Sequence, residues 1–121
     1  MRVIIAGSRC CRHYHAVCQV VRDSGFDLTT VISGGAEGVD TLGERYAAEH
    51  GIPYERHPAD WGKYGRAAGP IRNHEMVQCA DALIAVIMWP ARGTRNMIHQ
   101  AQKAGLPVFI TEIEAGKEIG K

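Results

Sequence analysis

Three turns in this sequence set glycine beside a hydroxyl or a guanidinium: Gly7-Ser8-Arg9, Ser33-Gly34-Gly35-Ala36-Glu37-Gly38-Val39-Asp40 and Arg92-Gly93-Thr94. Residues of these types at this spacing suit the holding of an anion. Each turn follows a strand-like run and opens a helix-like one. Bare backbone there leaves N–H groups pointing out of the first helical turn, where the helix dipole also favours negative charge. A phosphate or a carboxylate is the natural occupant. Glycine also serves any sharp turn or close helix–sheet contact, so one such turn decides little. Three of them, brought by one sheet to one edge, point to a single ligand site.

Further residues join that edge. Arg72 and Asn73 stand in Gly69-Pro70-Ile71-Arg72-Asn73, and Arg72, Arg92 and Arg95 all fall near expected helix N-termini. A cation there is repelled by the dipole unless an anion is bound; the alternative is that these arginines are solvated or paired with Glu37, Glu75 or Asp81. Asp40 has two open readings, a helix cap or an acceptor for ribose hydroxyls. Trp61 and Tyr64, flanked by Lys63 and Arg66, either stack on a base or pack down on the domain or at a subunit contact. Cys10-Cys11-Arg12-His13-Tyr14-His15 gathers metal-binding residue types, but its spacing matches no zinc motif, so no metal is expected. No cofactor is expected either. A nicotinamide dehydrogenase is not expected, because no G-x-G-x-x-G follows the first strand and no acidic residue ends the second.

The elements that would position these groups alternate along the chain. Arg2 to Ala6 and Ala82 to Met88 are uninterrupted apolar runs, as central parallel strands are. Thr29 to Ile32, Tyr54 to His57 and Val108 to Thr111 complete five strands, the third short and polar like an edge strand. Helices are expected over His13 to Ser24, from the second glycine turn to about His50, over Ile71 to Ala80 behind Pro70, and over Arg95 to Ala104. Pro58 to Gly69 reads as the longest irregular segment, a loop that can act as a lid. Five strands and four helices make an α/β, doubly wound parallel sheet, and right-handed crossovers favour the Rossmann-like order 3-2-1-4-5. Ligands bind outside the carboxyl ends of the strands at the switch point of such a sheet, where all the turns above emerge.

The 121 residues allow one domain, drawn here over residues 1–111 with a charged tail over 112–121. A net charge of +1 lacks the basic footprint of non-specific nucleic-acid or membrane-surface binding. Sparse aromatics argue further against single-stranded DNA. No apolar run reaches membrane-span length and no signal-peptide pattern opens the chain, so a cytoplasmic protein with four reduced cysteines is expected.

Ile5-Ala-Gly-Ser-Arg9, Ser33 to Asp40, Gly69-Pro-Ile-Arg-Asn73, Ala80-Asp-Ala-Leu-Ile-Ala85 and Gly93-Thr94 together resemble the YspA-like branch of the SLOG superfamily. That superfamily includes the LOG phosphoribohydrolases and the DNA-processing protein A, whose glycine turn is similar to Ser33–Asp40. The resemblance implies a homo-oligomer, most simply a dimer, that binds a nucleotide or nucleotide-derived phosphorylated molecule as a sensor or signalling module. The residues expected to bind the ligand, from these motifs and from the turns and loop read above, are Gly7, Ser8, Arg9, Ser33, Gly34, Gly35, Gly38, Asp40, Trp61, Arg72, Asn73, Arg92, Gly93 and Thr94. The hydrolases place a catalytic glutamate in P-G-G-x-G-T-x-x-E, where this chain has Met97. A thioether does not do the work of that carboxylate. The catalytic residue is therefore unassigned, with Arg72, Asp40 and Glu75 as candidates for a rearranged N-glycosidic hydrolase.

Overall fold

A computed structural model describes residues 1–88 and 92–113, Arg92 as backbone only. The strands are β1 (Arg2–Gly7), β2 (Thr30–Ser33), β3 (Tyr54–Arg56), β4 (Ala82–Ile87) and β5 (Val108–Glu112). The helices are α1 (Tyr14–Ser24), α2 (Val39–Glu49), α3 (Trp61–Tyr64), α4 (Ala68–Gln78) and α5 (Arg92–Lys103). All four strand pairings are parallel and the order is β3-β2-β1-β4-β5. This is the expected doubly wound sheet.

The alternation of side chains along the central strands builds two cores. Val3, Ile5, Val31, Ile84 and Val86 face α1 and α2, whereas Ile4, Ala6, Ile32, Leu83 and Ala85 face α4 and α5. The five largest, Ile4, Ile5, Ile32, Leu83 and Ile84, are wholly buried, each stabilising by about 1.5 to 3 kcal/mol. Both faces of β1 and β4 are thus covered, which is why their sequences read as unbroken apolar runs. β3 has only three residues and lies at the edge, as its polarity predicts. Among the described residues no helix is long and apolar enough to cross a membrane.

The structure departs from expectation between Pro58 and Gly69. The segment is mostly helical: α3 leads through a 3-10 turn, Gly65–Ala67, directly into α4. Asp60 starts it, its Oδ1 accepting a hydrogen bond of 3.0 Å from Lys63 N, the side-chain cap that an aspartate supplies best. In consequence α4 begins at Ala68 rather than Ile71, and Pro70 sits in its first turn, where no N–H is needed. Arg72 is one turn inside the helix. β5 runs one residue beyond Thr111, and Ile113, beyond it, is buried with its N–H on Ile87 O at 2.7 Å. The expected turn at Trp89-Pro90-Ala91 and the tail beyond Ile113 lie outside the described residues.

Candidate functional site

The carboxyl end of β1 and the turn after it, Ala36 and Asp40 at the start of α2, the N-terminal part of α4 and the first turns of α5 line a cavity of about 670 Å³. Its floor is apolar, made by Ala6, Met76 and Met97. One wall is the turn after β1. There Ser8 is a structural knot: its N–H donates to Val86 O at 3.1 Å, its carbonyl accepts from Val39 N at 3.2 Å, and its Oγ accepts from Met88 N at 2.7 Å. These bonds lock the turn after β1 to α2 and to the end of β4. Arg9 and Cys10 follow on the rim, both exposed.

Opposite stands Arg72. Its Nη1 donates to Gly34 O at 2.8 Å and its Nε to Asn73 Oδ1 at 2.9 Å, while Nη2 has no hydrogen-bond partner among the described residues. Burial holds its pKa below the ordinary arginine value, Arg9 adds to that, and Asp40 opposes it. Asn73 continues the polar line across to α5, donating from Nδ2 to Asn96 Oδ1 at 3.1 Å and to Gly93 O at 3.4 Å. Gln100 closes it, its Nε2 reaching Asn96 Oδ1 at 2.8 Å and Pro70 O at 3.0 Å.

Asp40, in the first turn of α2, lines the cavity and is 5% exposed. Burial pushes its carboxyl up to about 6, against the attraction of Arg72 and hydrogen bonding from the Ala36 and Gly7 backbone; Glu44 adds to the rise. It makes no side-chain cap bond to the start of α2, where Gly38 is the cap residue. Behind it lies a second buried acid. Glu44 accepts from Ser33 Oγ at 2.6 Å and from Arg56 Nε at 3.0 Å, with Arg56 Nη2 on its other oxygen. Burial pushes Glu44 up, but the bonds from Arg56 and Ser33 outweigh it and leave the carboxyl below its usual range.

Of the residues expected to bind ligand, Gly7, Ser8, Arg9, Asp40 and Trp61 line the cavity, as do Arg72, Asn73, Gly93 and Thr94. Ser33, Gly34, Gly35 and Gly38 do not. They support it from behind: Ser33 belongs to the Glu44 network, Gly34 carries Arg72 on its carbonyl, and Gly35 packs on the Arg56 side chain. The side chain of Arg92 lies outside the described residues. Among the acid/base candidates, Asp40 and Arg72 line the cavity, whereas Glu75 is exposed and outside it. Trp61 is half-exposed, its ring 3.3 Å from where a Cβ on Gly69 would stand, so it overhangs the opening. The lining residues absent from the expected set are the apolar Ala6, Met76 and Met97, Gly69 and Pro70 of α4, and Cys10, Ala36 and Asn96. Asn96 was the findable one, three residues past Gly93 and four before Gln100 on one face of a helix.

Residues 1–64 match the family described as "YspA, cpYpsA-related SLOG family". The chain is 38% identical to the Gene 61 protein of Mycobacterium phage D29, over 89% of this chain and 94% of that protein. Its fold is similar to the X-ray structure of DNA processing protein A (DprA) from Streptococcus pneumoniae, with a TM-score of 0.71 at 19% identity, over 90% of this chain. The match takes in 49% of the DprA chain, so this chain spans about half of that length.

Proposed function

We propose, from the premise that this chain belongs to the YspA, cpYpsA-related SLOG family, that it binds a nucleotide or nucleotide-derived phosphorylated small molecule in the cavity at the switch point. Its role is that of a sensor or signalling module. The observation that carries this is Arg72: a guanidinium drawn into a cavity wall, fixed through two of its nitrogens, with the third left for a ligand. A half-buried arginine loses part of its hydration, and a bidentate or charge-assisted bond to phosphate offsets that cost. Arg9 and the Gly93-Thr94 turn of α5 lie on the same cavity and would share the charge. Trp61 and the two methionines of the floor offer a base its apolar faces. The volume lies inside the roughly 300 to 1,000 Å³ of small-molecule sites.

A thermal-shift screen of nucleoside mono-, di- and triphosphates tests the reading. Arg72→Lys keeps the charge and loses the planar fork, and Arg72→Ala loses both, so affinity falls in that order. Losing one charge-assisted bond of about 1.5 to 3 kcal/mol weakens binding roughly ten- to a hundredfold. Binding by Arg72→Ala equal to that of the wild type would reject the site.

One observation favours a second reading, N-glycosidic hydrolysis of nucleoside 5′-monophosphates. Asp40 combines a raised pKa with a place on the cavity next to Arg72, the environment of a general acid or base. Met97 fills the position of the family glutamate with an apolar side chain that is 2% exposed, so the carboxylate would have to come from α2. Incubation with nucleoside monophosphates separates the two: release of free base, abolished by Asp40→Asn, supports turnover, and binding without release supports the sensor.

A further inference from the structure

We propose that Glu55, His57 and Cys79 form a binding site for a thiophilic divalent cation of the zinc class, on the α4 side of the β3 edge and apart from the cavity. Among the described residues, one ligand atom from each lies within 4.8 Å of the others. Glu55 Oε1 is 3.6 Å from His57 Nε2, and Cys79 Sγ is 3.9 Å from the same nitrogen. Zinc bonds of about 2.0 to 2.3 Å at tetrahedral angles set such atoms roughly 3.4 to 3.6 Å apart. The group therefore needs small inward shifts, most of them available from side-chain rotation. None of the three residues lines the cavity.

The surrounding structure aims these groups. His57 is held by its N–H on Ser33 O at 2.8 Å, which extends the sheet pairing past β3. Arg2 clamps the other two: Nη1 pairs with Glu55 Oε2 at 2.7 Å, and Nε donates to Cys79 O at 2.7 Å. Its own N–H is bound to Asp81 Oδ2 at 2.8 Å. Glu55 thus turns one oxygen to Arg2 and the other to His57, as supporting groups orient ligands around metals. Cys79 currently donates its thiol proton toward Met76 O, at 3.3 Å. On binding, the metal takes the place of that proton, which leaves to solvent, and thiolate and carboxylate together balance the dication. Imidazole and thiolate select zinc-like ions over magnesium or calcium. Glu55 and His57 side chains are 43% and 25% exposed, so the ion has a way in and water can take the fourth position. Cys79 lies 22 residues from His57, which is why no motif shows the site.

The test is competition for Zn²⁺ between the full chain and a chromophoric chelator, together with the absorption spectrum of the Co²⁺-loaded protein. Wild type should bind stoichiometrically and show a thiolate-to-cobalt charge-transfer band. Cys79→Ser should lose the band, and both Cys79→Ser and His57→Ala should weaken binding by a hundredfold or more, on the order of the largest outer-sphere effects or beyond them. Glu55→Gln, which keeps size and a neutral acceptor, should weaken binding in a protein whose metal-free unfolding temperature shows it folded. Cys10→Ser should bind like wild type. Wild-type affinity no greater than that of Cys79→Ser, or a band lost with Cys10 rather than with Cys79, would overturn the site.

Discussion

The two glycine turns that the sequence makes look alike, after β2 and at the start of α5, are opposites in the structure. At Gly34 an added Cβ would collide with Arg72 Nη1 and stand 2.6 Å from Asp40 Oδ2. At Gly38, where φ is +81°, it would run into the carbonyls of Ser8 and Arg9. At Gly93 it would meet nothing within 4 Å among the described residues. The interior turn already holds an acid of the chain itself, Asp40, whose Oδ2 lies 2.6 Å from where a Cβ on Gly34 would stand. The outer turn keeps its space. Under the proposed function the ligand's phosphate therefore goes to the second turn, because the chain's own carboxylate already fills the first.

The sharpest way to break this contrast is Gly38→Ala. A side chain at that φ carries backbone strain of about 1 to 2 kcal/mol, and the collision with two carbonyls adds to it, so urea denaturation should show a loss of about 3 kcal/mol or more. A loss below about 1 kcal/mol would mean the interior turn is no tighter than the outer one.

The internal carboxylate gives the next test. Its pKa stands near 6 in the folded chain against an ordinary 3.8. The folded state therefore holds the proton more tightly than the unfolded one, and this favours folding below pH 3.8. As pH rises from about 4 to above 6 that advantage is lost, by roughly 3 kcal/mol at about 1.36 kcal/mol per pKa unit. Wild-type stability should fall by that much relative to Asp40→Asn over the same window, which also removes the opposite trend from Glu44. Parallel curves would show that the carboxylate is not confined as described.

The smallest effect is expected at the open turn. Gly93→Ala should change stability by less than about 1 kcal/mol, and in the stabilising direction, because alanine suits a helix better. It should at the same time reduce thermal stabilisation by nucleoside monophosphates, since its methyl enters the space offered to the phosphate. If stability falls and ligand response does not, the assignment of the two turns is reversed.

Much of the frame was legible from period and composition. Arg2 to Ala6 and Ala82 to Met88 announced the central strands because both their faces are covered, and Gly25, in the left-handed region at φ 72°, stopped α1 as expected. The helical character of Trp61–Ala67 was harder to read, since glycines and exposed aromatics hide it, although Asp60 three residues before Lys63 was a usable cap signal. Of the site, the residues that meet through short turns were readable. The Ser33–Glu44–Arg56 network was not. Glu44 sits mid-helix and Arg56 on an edge strand, and only the order of the sheet brings them together. Nor could the sequence say that Asp40 turns back on its own glycine turn, because a first-turn aspartate is equally at home as a cap.

The amide line from Asn73 through Asn96 to Gln100 gives the cavity a mechanical property. Lower down, α4 and α5 meet the sheet through Val77, Met97 and Ala101, and parting them there would expose apolar surface to water. At the rim they are joined by hydrogen bonds of 3.0 to 3.4 Å from Asn73 and Gln100. Water replaces such bonds at a net cost of only about 1 kcal/mol each. Parting the two helices at the hydrogen-bonded amides would therefore cost less than parting them at the apolar contacts of Val77, Met97 and Ala101.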